Sequence, residues 1–87
     1  MFYVYVLKSQ KDGELYIGFT YDIKKRLLKY NTGKVFSTKS RRPLKPIYLE
    51  ICINKDDAKQ REKYLKTGVG KRFIKNRLKN YFKVSSQ

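Results

Sequence analysis

Five side chains frame the chemistry open to this chain: Tyr5, Tyr16, Arg26, Tyr30 and Glu62. Tyr16 follows Tyr5 by eleven positions, Arg26 follows Tyr16 by ten, and Tyr30 follows Arg26 by four. Taken singly, each is ordinary: strand aromatics, a helix-face aromatic, a solvated helix charge. Their joint spacing is not. Histidine is absent, so any acid–base work falls to Tyr, Lys or a carboxylate. Glu62 shares a helical stripe with Ala58 and Leu65, at i−4 and i+3, and so faces inward. An inward carboxylate needs a partner, or its burial costs several kcal/mol. Three partners are open: Lys66 at i+4, Arg26, or a hard divalent cation. Mg²⁺ takes oxygen ligands, often one or two carboxylates with waters and substrate phosphate.

The elements that would bring these groups together are legible in outline. Phe2 to Leu7 is apolar almost without break, as in a central strand buried on both faces. Lys11-Asp12-Gly13 supplies a turn, with Gly13 free to take positive φ, and Leu15 to Phe19 returns as a second strand. Gly18 near its end marks a close backbone approach or a bulge. Thr20 or Asp22 can cap a helix over about Ile23 to Tyr30, which packs Ile23 and Leu27 inward and carries Arg26 and Tyr30 on an adjacent face. Gly33 is the expected left-handed residue beyond its end. Residues 34–46 read as one long irregular segment.

Ile47 to Ile53 reads as the third strand, with Ile47, Leu49, Ile51 and Ile53 alternating on one buried face. Asn54, with Asp57 three residues on, starts a helix that runs to about Thr67. Gly68-Val69-Gly70 reads as a break. Lys71 to Phe82 is then a last helix with Ile74, Leu78, Tyr81 and Phe82 as its apolar stripe. The order β-β-α-β-α-α predicts a small α/β (α+β) domain, a mostly antiparallel three-stranded sheet flanked by helices.

Composition narrows the partners. There are 22 Lys and Arg against 7 Asp and Glu, a net charge of +15, in 87 residues. So large a charge opposes compaction and points to a polyanion, most often nucleic acid. The segment from Lys34 holds Lys34, Lys39, Arg41, Arg42 and Lys45 with no acid, and is the expected nucleic-acid contact. Thirteen aromatics, 8 of them Tyr, exclude a disordered basic tail. A single cysteine, Cys52, excludes an internal disulfide; with no histidine beside it, a zinc finger is excluded too. No apolar run approaches a membrane span and no signal peptide is visible, which gives an expectation of a cytoplasmic protein with no membrane partner.

With these residues in view, the chain resembles the GIY-YIG nuclease family. The likeness covers about Phe2 to Leu78, closest to the small stand-alone UPF0213-type members and to the amino-terminal nuclease domain of the excision-repair nuclease UvrC. Tyr3-Val4-Tyr5 stands where the family has Gly-Ile-Tyr, and Tyr16-Ile17-Gly18 matches the second motif outright. Arg26 matches the helix arginine, Tyr30 stands where members carry His or Tyr, and Glu62 matches the metal-binding glutamate. Two positions depart: Tyr3 replaces the leading glycine, and Phe19 replaces the lysine that often follows the second motif. A late asparagine of some branches has Asn76 as its candidate counterpart.

The resemblance implies a single nuclease domain over 1–87, hydrolysing DNA phosphodiesters in repair or processing with one Mg²⁺ or Mn²⁺ held by Glu62. It assigns Arg26 to the phosphate, Tyr16 to the attacking water, and Tyr5 and Tyr30 to orienting them. A free phenol titrates near ~10 and needs nearby cations to serve as a base at neutral pH. RNA is the other polyanion such a surface could hold. A protein partner supplying target recognition would fit so short a chain. The rival reading is a non-catalytic basic module that binds nucleic acid on the same fold.

Overall fold

β1 (Phe2–Ser9) occupies the middle of the sheet in a computed structural model that describes residues 1–85. β2 (Leu15–Thr20) and β3 (Leu44–Cys52) flank it, both antiparallel, in the order β2-β1-β3. Val4, Tyr5, Val6 and Leu7 are all buried, which is what the unbroken apolar run of β1 requires. The β1–β2 turn holds Gly13 at φ 76°, and Ser9 Oγ accepts from the backbone N–H groups of Lys11 and Asp12.

Period two divides β1 between two cores. Val4 and Val6 face α2 (Lys55–Leu65) and α3 (Gly68–Arg77), where they pack against Ala58, Leu65 and Ile74. Tyr5 and Leu7 face α1 (Ile23–Asn31), where they meet Tyr30, Leu44, Ile23 and Leu27. Asp22 caps α1 by accepting from the Lys25 N–H, and Gly33 beyond its end takes φ 76°. Asn54 caps α2 through the N–H groups of Asp56 and Asp57, whose own charges suit the positive end of the helix.

Three expectations are corrected. Residues 34–46 are not structureless: Phe36–Arg41 forms a 3₁₀ helix, and β3 begins at Leu44, paired with Ser9. Asn31 ties this segment to α1, accepting from the Leu44 N–H and donating to its carbonyl. Second, Gly68-Val69-Gly70 does not break a helix but begins one. Thr67 is the N-cap, its hydroxyl accepting from Gly70 N–H, and a Cβ on Gly70 would run into the Tyr64 carbonyl. The chain instead pauses at Leu78, after which α4 (Lys79–Ser85) carries Tyr81 and Phe82.

The third correction inverts β3. Leu49 is 44%, Ile51 59% and Ile53 87% exposed, so the Ile47, Leu49, Ile51, Ile53 set is not one buried face. A bulge is the reason. Val6 pairs with Tyr48 but Leu7 pairs with Pro46, leaving Ile47 as the extra residue. One inserted residue shifts a period-two pattern by one, so Ile47 joins the α2/α3 side while Leu49 and Ile51 lie on the α1 side. Tyr48, Glu50 and Cys52 point toward α2 instead. Glu50 is tolerated there because it is fully engaged. Arg61 of α2 grips it with Nε at 2.9 Å and a second nitrogen at 3.0 Å, and the Tyr48 hydroxyl donates at 2.9 Å. The Arg61 guanidinium also lies over the Phe73 ring at 4.7 Å. This clamp fixes α2 against the sheet one residue before Glu62.

Candidate active site

The site begins at Gly18. It lies opposite Tyr5 in the β1–β2 register, so both face α1. The Tyr5 ring crosses the space a side chain at position 18 would fill: a Cβ there would meet the Tyr5 hydroxyl, with Cζ at 2.5 Å. The missing side chain lets the ring lie flat across β2 and carry its hydroxyl to α1. There Tyr5 and Tyr30 share a hydrogen bond of 3.0 Å, their rings edge-to-face at 5.9 Å. Tyr5 is 1% exposed. Burial, then the bond to Tyr30, pushes its phenol well above the usual range; Arg26 opposes the shift and Glu62 reinforces it. Tyr5 is therefore a neutral hydroxyl at any physiological pH, suited to orienting groups rather than to taking protons.

A cleft of about 480 Å³ opens over this pair, and Arg26, Tyr30 and Glu62 line it together with Tyr5. Elements from both faces of the sheet contribute: α1 supplies Arg26 and Tyr30, α2 supplies Glu62 and Lys66, and β2 passes between them. Tyr16 does not line this cleft. It lines an adjoining hollow of about 340 Å³ with Ser37, Thr38 and Lys71, and the two spaces share Ile17, Tyr30 and Lys66. The sequence thus grouped five residues, of which the structure places four in one cleft and the fifth next door.

Glu62 is half-sunk in the cleft wall. Its ion partner is Lys66, at 3.3 Å one helical turn on, and no Arg26–Glu62 ion pair forms among the described residues. An i,i+4 pair whose lysine is largely exposed is worth a few tenths of a kcal/mol and yields readily to a stronger partner. Glu62 is the cleft's carboxylate among the described residues, and no group of three or more His, Cys, Asp or Glu able to hold a metal occurs among them. The uncharged and anionic donors that line it are all oxygen: the Glu62 carboxylate, the phenols of Tyr5, Tyr21 and Tyr30, and the Thr20 hydroxyl. That set fits a hard cation keeping most of its waters, such as Mg²⁺ or Mn²⁺, and not a metal that needs a full protein cage.

The basic segment sits elsewhere. None of Lys34, Lys39, Arg41, Arg42 and Lys45 lines the cleft. Arg41 is bound to Asp12 at 2.7 Å, and Arg42 Nε donates to the Lys39 carbonyl at 2.8 Å. Lys34, Lys39 and Lys45 are exposed. The cations at the cleft are Arg26 of α1, Lys55 at the start of α2 and Lys66 at its C-cap. Phe19 is itself part of the cleft wall, and Asn76 is not. Sequence reasoning missed Lys55, Phe19 and Tyr21 as site residues. A signal for Tyr21 was available: a bulky aromatic between a strand end and a helix cap, with nothing periodic to bury it.

Comparison with known proteins now decides the family. The family model of the GIY-YIG catalytic domain matches residues 1–77. The chain belongs to the GIY-YIG family. That is a nuclease-type family, and the two motifs that name it supply Tyr5, Tyr16 and Gly18 here. A UPF0213 protein of Staphylococcus saprophyticus is 44% identical over 66 residues, 75% of this chain and 79% of the relative. A UPF0213 protein of Bacillus pumilus is 44% identical over 71 residues, 80% of this chain and 71% of the relative. The solution structure of a UPF0213 protein from Bacillus halodurans shares the fold at a TM-score of 0.53 and 29% identity, covering 85% of this chain and 82% of that one. No helix among the described residues is long and apolar enough to cross a membrane.

Proposed function

We propose that this GIY-YIG domain is a metal-dependent endonuclease that hydrolyses DNA phosphodiester bonds, in repair or processing. The observation that carries the reading is the single cleft lined by Tyr5, Arg26, Tyr30 and Glu62. Glu62 is the residue that would hold Mg²⁺ or Mn²⁺, its pair with Lys66 being weak enough to give way. When bound, the cation supplies Lewis-acid neutralisation of charge on the phosphate. Arg26 grips a non-bridging phosphate oxygen through its planar fork and offsets charge that builds up in the transition state. Tyr5, kept neutral by burial, and Tyr30 form a fixed hydroxyl pair that orients the groups around the phosphate. Tyr16 approaches from the adjoining hollow and positions or deprotonates the attacking water, Lys66 standing between the two spaces. Net charge of +15 draws the substrate in through phosphate contacts, which orient without reading sequence.

The test is a cleavage screen on single-stranded, duplex, nicked and branched DNA with Mg²⁺ or Mn²⁺, against EDTA controls. The expected result is metal-dependent cleavage that falls by about two to three orders of magnitude in Arg26→Ala. Binding without cleavage on every substrate and with either metal would replace the enzyme with a nucleic-acid-binding module.

A further inference from the structure

Tyr21 is 74% exposed, and its backbone is pinned. The Thr20 side chain accepts from the Asp22 N–H at 3.1 Å, and Asp22 then caps α1, so the bend that presents Tyr21 is fixed on both sides. Scattered exposed aromatics are common and need no explanation. Tyr21 is not scattered. It forms the ridge between the catalytic cleft and a small second hollow of about 60 Å³ lined by Thr20, Asp22, Lys25, Arg26 and Lys29, with the Asp22 carboxylate already engaged as the α1 cap. Phe2, Ile17 and Phe19 supply apolar lining to the cleft, beside its polar groups. Arg26 borders both spaces.

Resting on the nuclease reading above, the geometry points to Tyr21 as a stacking platform for an unpaired base beside the scissile phosphate. Arg26 takes the phosphate, and the base of that nucleotide lies on the Tyr21 ring against the apolar lining. Lys25 and Lys29 meet the next phosphate along the strand. The alternation of cation, exposed aromatic and apolar lining is what a single strand offers back: phosphates at regular spacing and bases with free faces. A base within an intact duplex has its faces already covered and cannot use the platform. The substrate class is therefore DNA with an unpaired nucleotide at the cut: single strands, flaps or frayed nicks, in preference to blunt duplex.

The experiment is equilibrium binding in EDTA, where no hydrolysis occurs, of a labelled single-stranded oligonucleotide and of the blunt duplex of the same sequence. Tyr21→Ala should weaken single-strand binding roughly 5- to 150-fold and change duplex binding less than about threefold. Tyr21→Phe should bind as wild type does, since the ring face carries the contact. The salt slope of single-strand binding should stay unchanged in Tyr21→Ala, because no phosphate contact is removed. A fully abasic strand of the same length should reproduce the loss in wild type, and Tyr21→Ala should lose nothing more on it. Equal losses on both forms, or no loss on either, would overturn the platform, as would a Tyr21→Phe protein as weak as Tyr21→Ala. The two readings fail separately. A protein that cleaves with metal but binds both forms alike as Tyr21→Ala has the nuclease and lacks the platform. A protein that never cleaves yet shows the stacking pattern has the platform and lacks the nuclease.

Discussion

Gly18→Ala separates the site's geometry from ordinary strand preference, because the two pull in opposite directions. In a strand interior, alanine is favoured over glycine by about 0.5–1 kcal/mol through chain entropy alone. Here the added methyl meets the Tyr5 hydroxyl and lies 2.5 Å from Cζ and 3.1 Å from Cε1. Tyr5 is 1% exposed and cannot move without displacing its neighbours. Forcing an extra carbon into such a place costs about 1–3 kcal/mol. If the ring swings aside, the 3.0 Å bond to Tyr30 is lost as well, and a buried hydroxyl left unpaired adds about 1–3 kcal/mol. Net of the entropy gain, destabilisation of about 2–4 kcal/mol is expected, roughly 8–30 °C in Tm for a domain of this size. Thermal unfolding by circular dichroism reads this directly. In a Tyr5→Phe background the first atom struck is gone and the hydrogen bond already lost, so Gly18→Ala should cost less there. A Gly18→Ala protein that melts at or above the wild-type temperature would refute the account of how Tyr5 reaches α1.

Three further outcomes follow from the packing. The Arg61–Glu50 clamp holds the Glu50 carboxyl below its ordinary value of 4.5, chiefly through the Arg61 hydrogen bonds, with the Tyr48 hydroxyl adding to it. A carboxylate depressed in the folded state stabilises above its unfolded value, so this contribution is complete above about pH 4.5 and is lost as pH falls through the lowered folded value. Glu50→Gln should lower stability by about 1–2 kcal/mol at pH 7, allowing for the water that reaches the pair, and should flatten the acid limb of a Tm-against-pH curve; an unchanged limb would count against the clamp. Gly70→Ala should destabilise strongly, since its methyl meets the Tyr64 carbonyl, whereas Gly68→Ala meets nothing within 4 Å and should be neutral or mildly stabilising; equal melting temperatures would contradict the tight α2–α3 corner. Ile51→Asp should be tolerated within about 1 kcal/mol because Ile51 is 59% exposed, while Leu65→Ala should cost about 2–5 kcal/mol, and the reverse order in urea melts would undo the bulged register of β3.

Much of the architecture was readable because local chemistry and tertiary placement agree. The apolar run of β1 is central, Asp22 and Asn54 cap the helices that follow them, and Gly13 and Gly33 take the positive φ their turns demand. Gly18 read as a close backbone approach or a bulge, and what comes close is a side chain, the Tyr5 ring. The face of β3 was not readable. Alternation from Ile47 to Ile53 is real in the sequence, but one bulged residue at Ile47 reverses its meaning, and the one local hint was Pro46 just before it, since a strand proline belongs at an edge or a bulge. Gly68-Val69-Gly70 misled because glycine read as a breaker is here a requirement of close packing, while Thr67 carried the capping signal. In the site, Arg26 and Tyr30 were placed by i,i+4 spacing, and Glu62 by its stripe with Ala58 and Leu65. The separate hollow of Tyr16, and the lysines that α2 brings to the cleft, depend on how two helices flank an edge strand. That is a tertiary fact with no local trace.

The central claim is that Glu62 is the metal-holding carboxylate of a hydrolytic site, and Glu62→Gln tests it most directly. The change keeps shape and removes the charge a hard cation needs. Its i,i+4 pair with Lys66, whose lysine end is largely exposed, is weak, so folding should change little, with Tm within about 4 °C of wild type. The measurement is Mn²⁺-dependent cleavage of the best DNA substrate by wild type and Glu62→Gln, with DNA affinity taken on the same samples in EDTA. The predicted result is loss of cleavage with affinity equal or tighter, since one negative charge beside the phosphate is gone. Cleavage by Glu62→Gln at the wild-type rate would contradict the account.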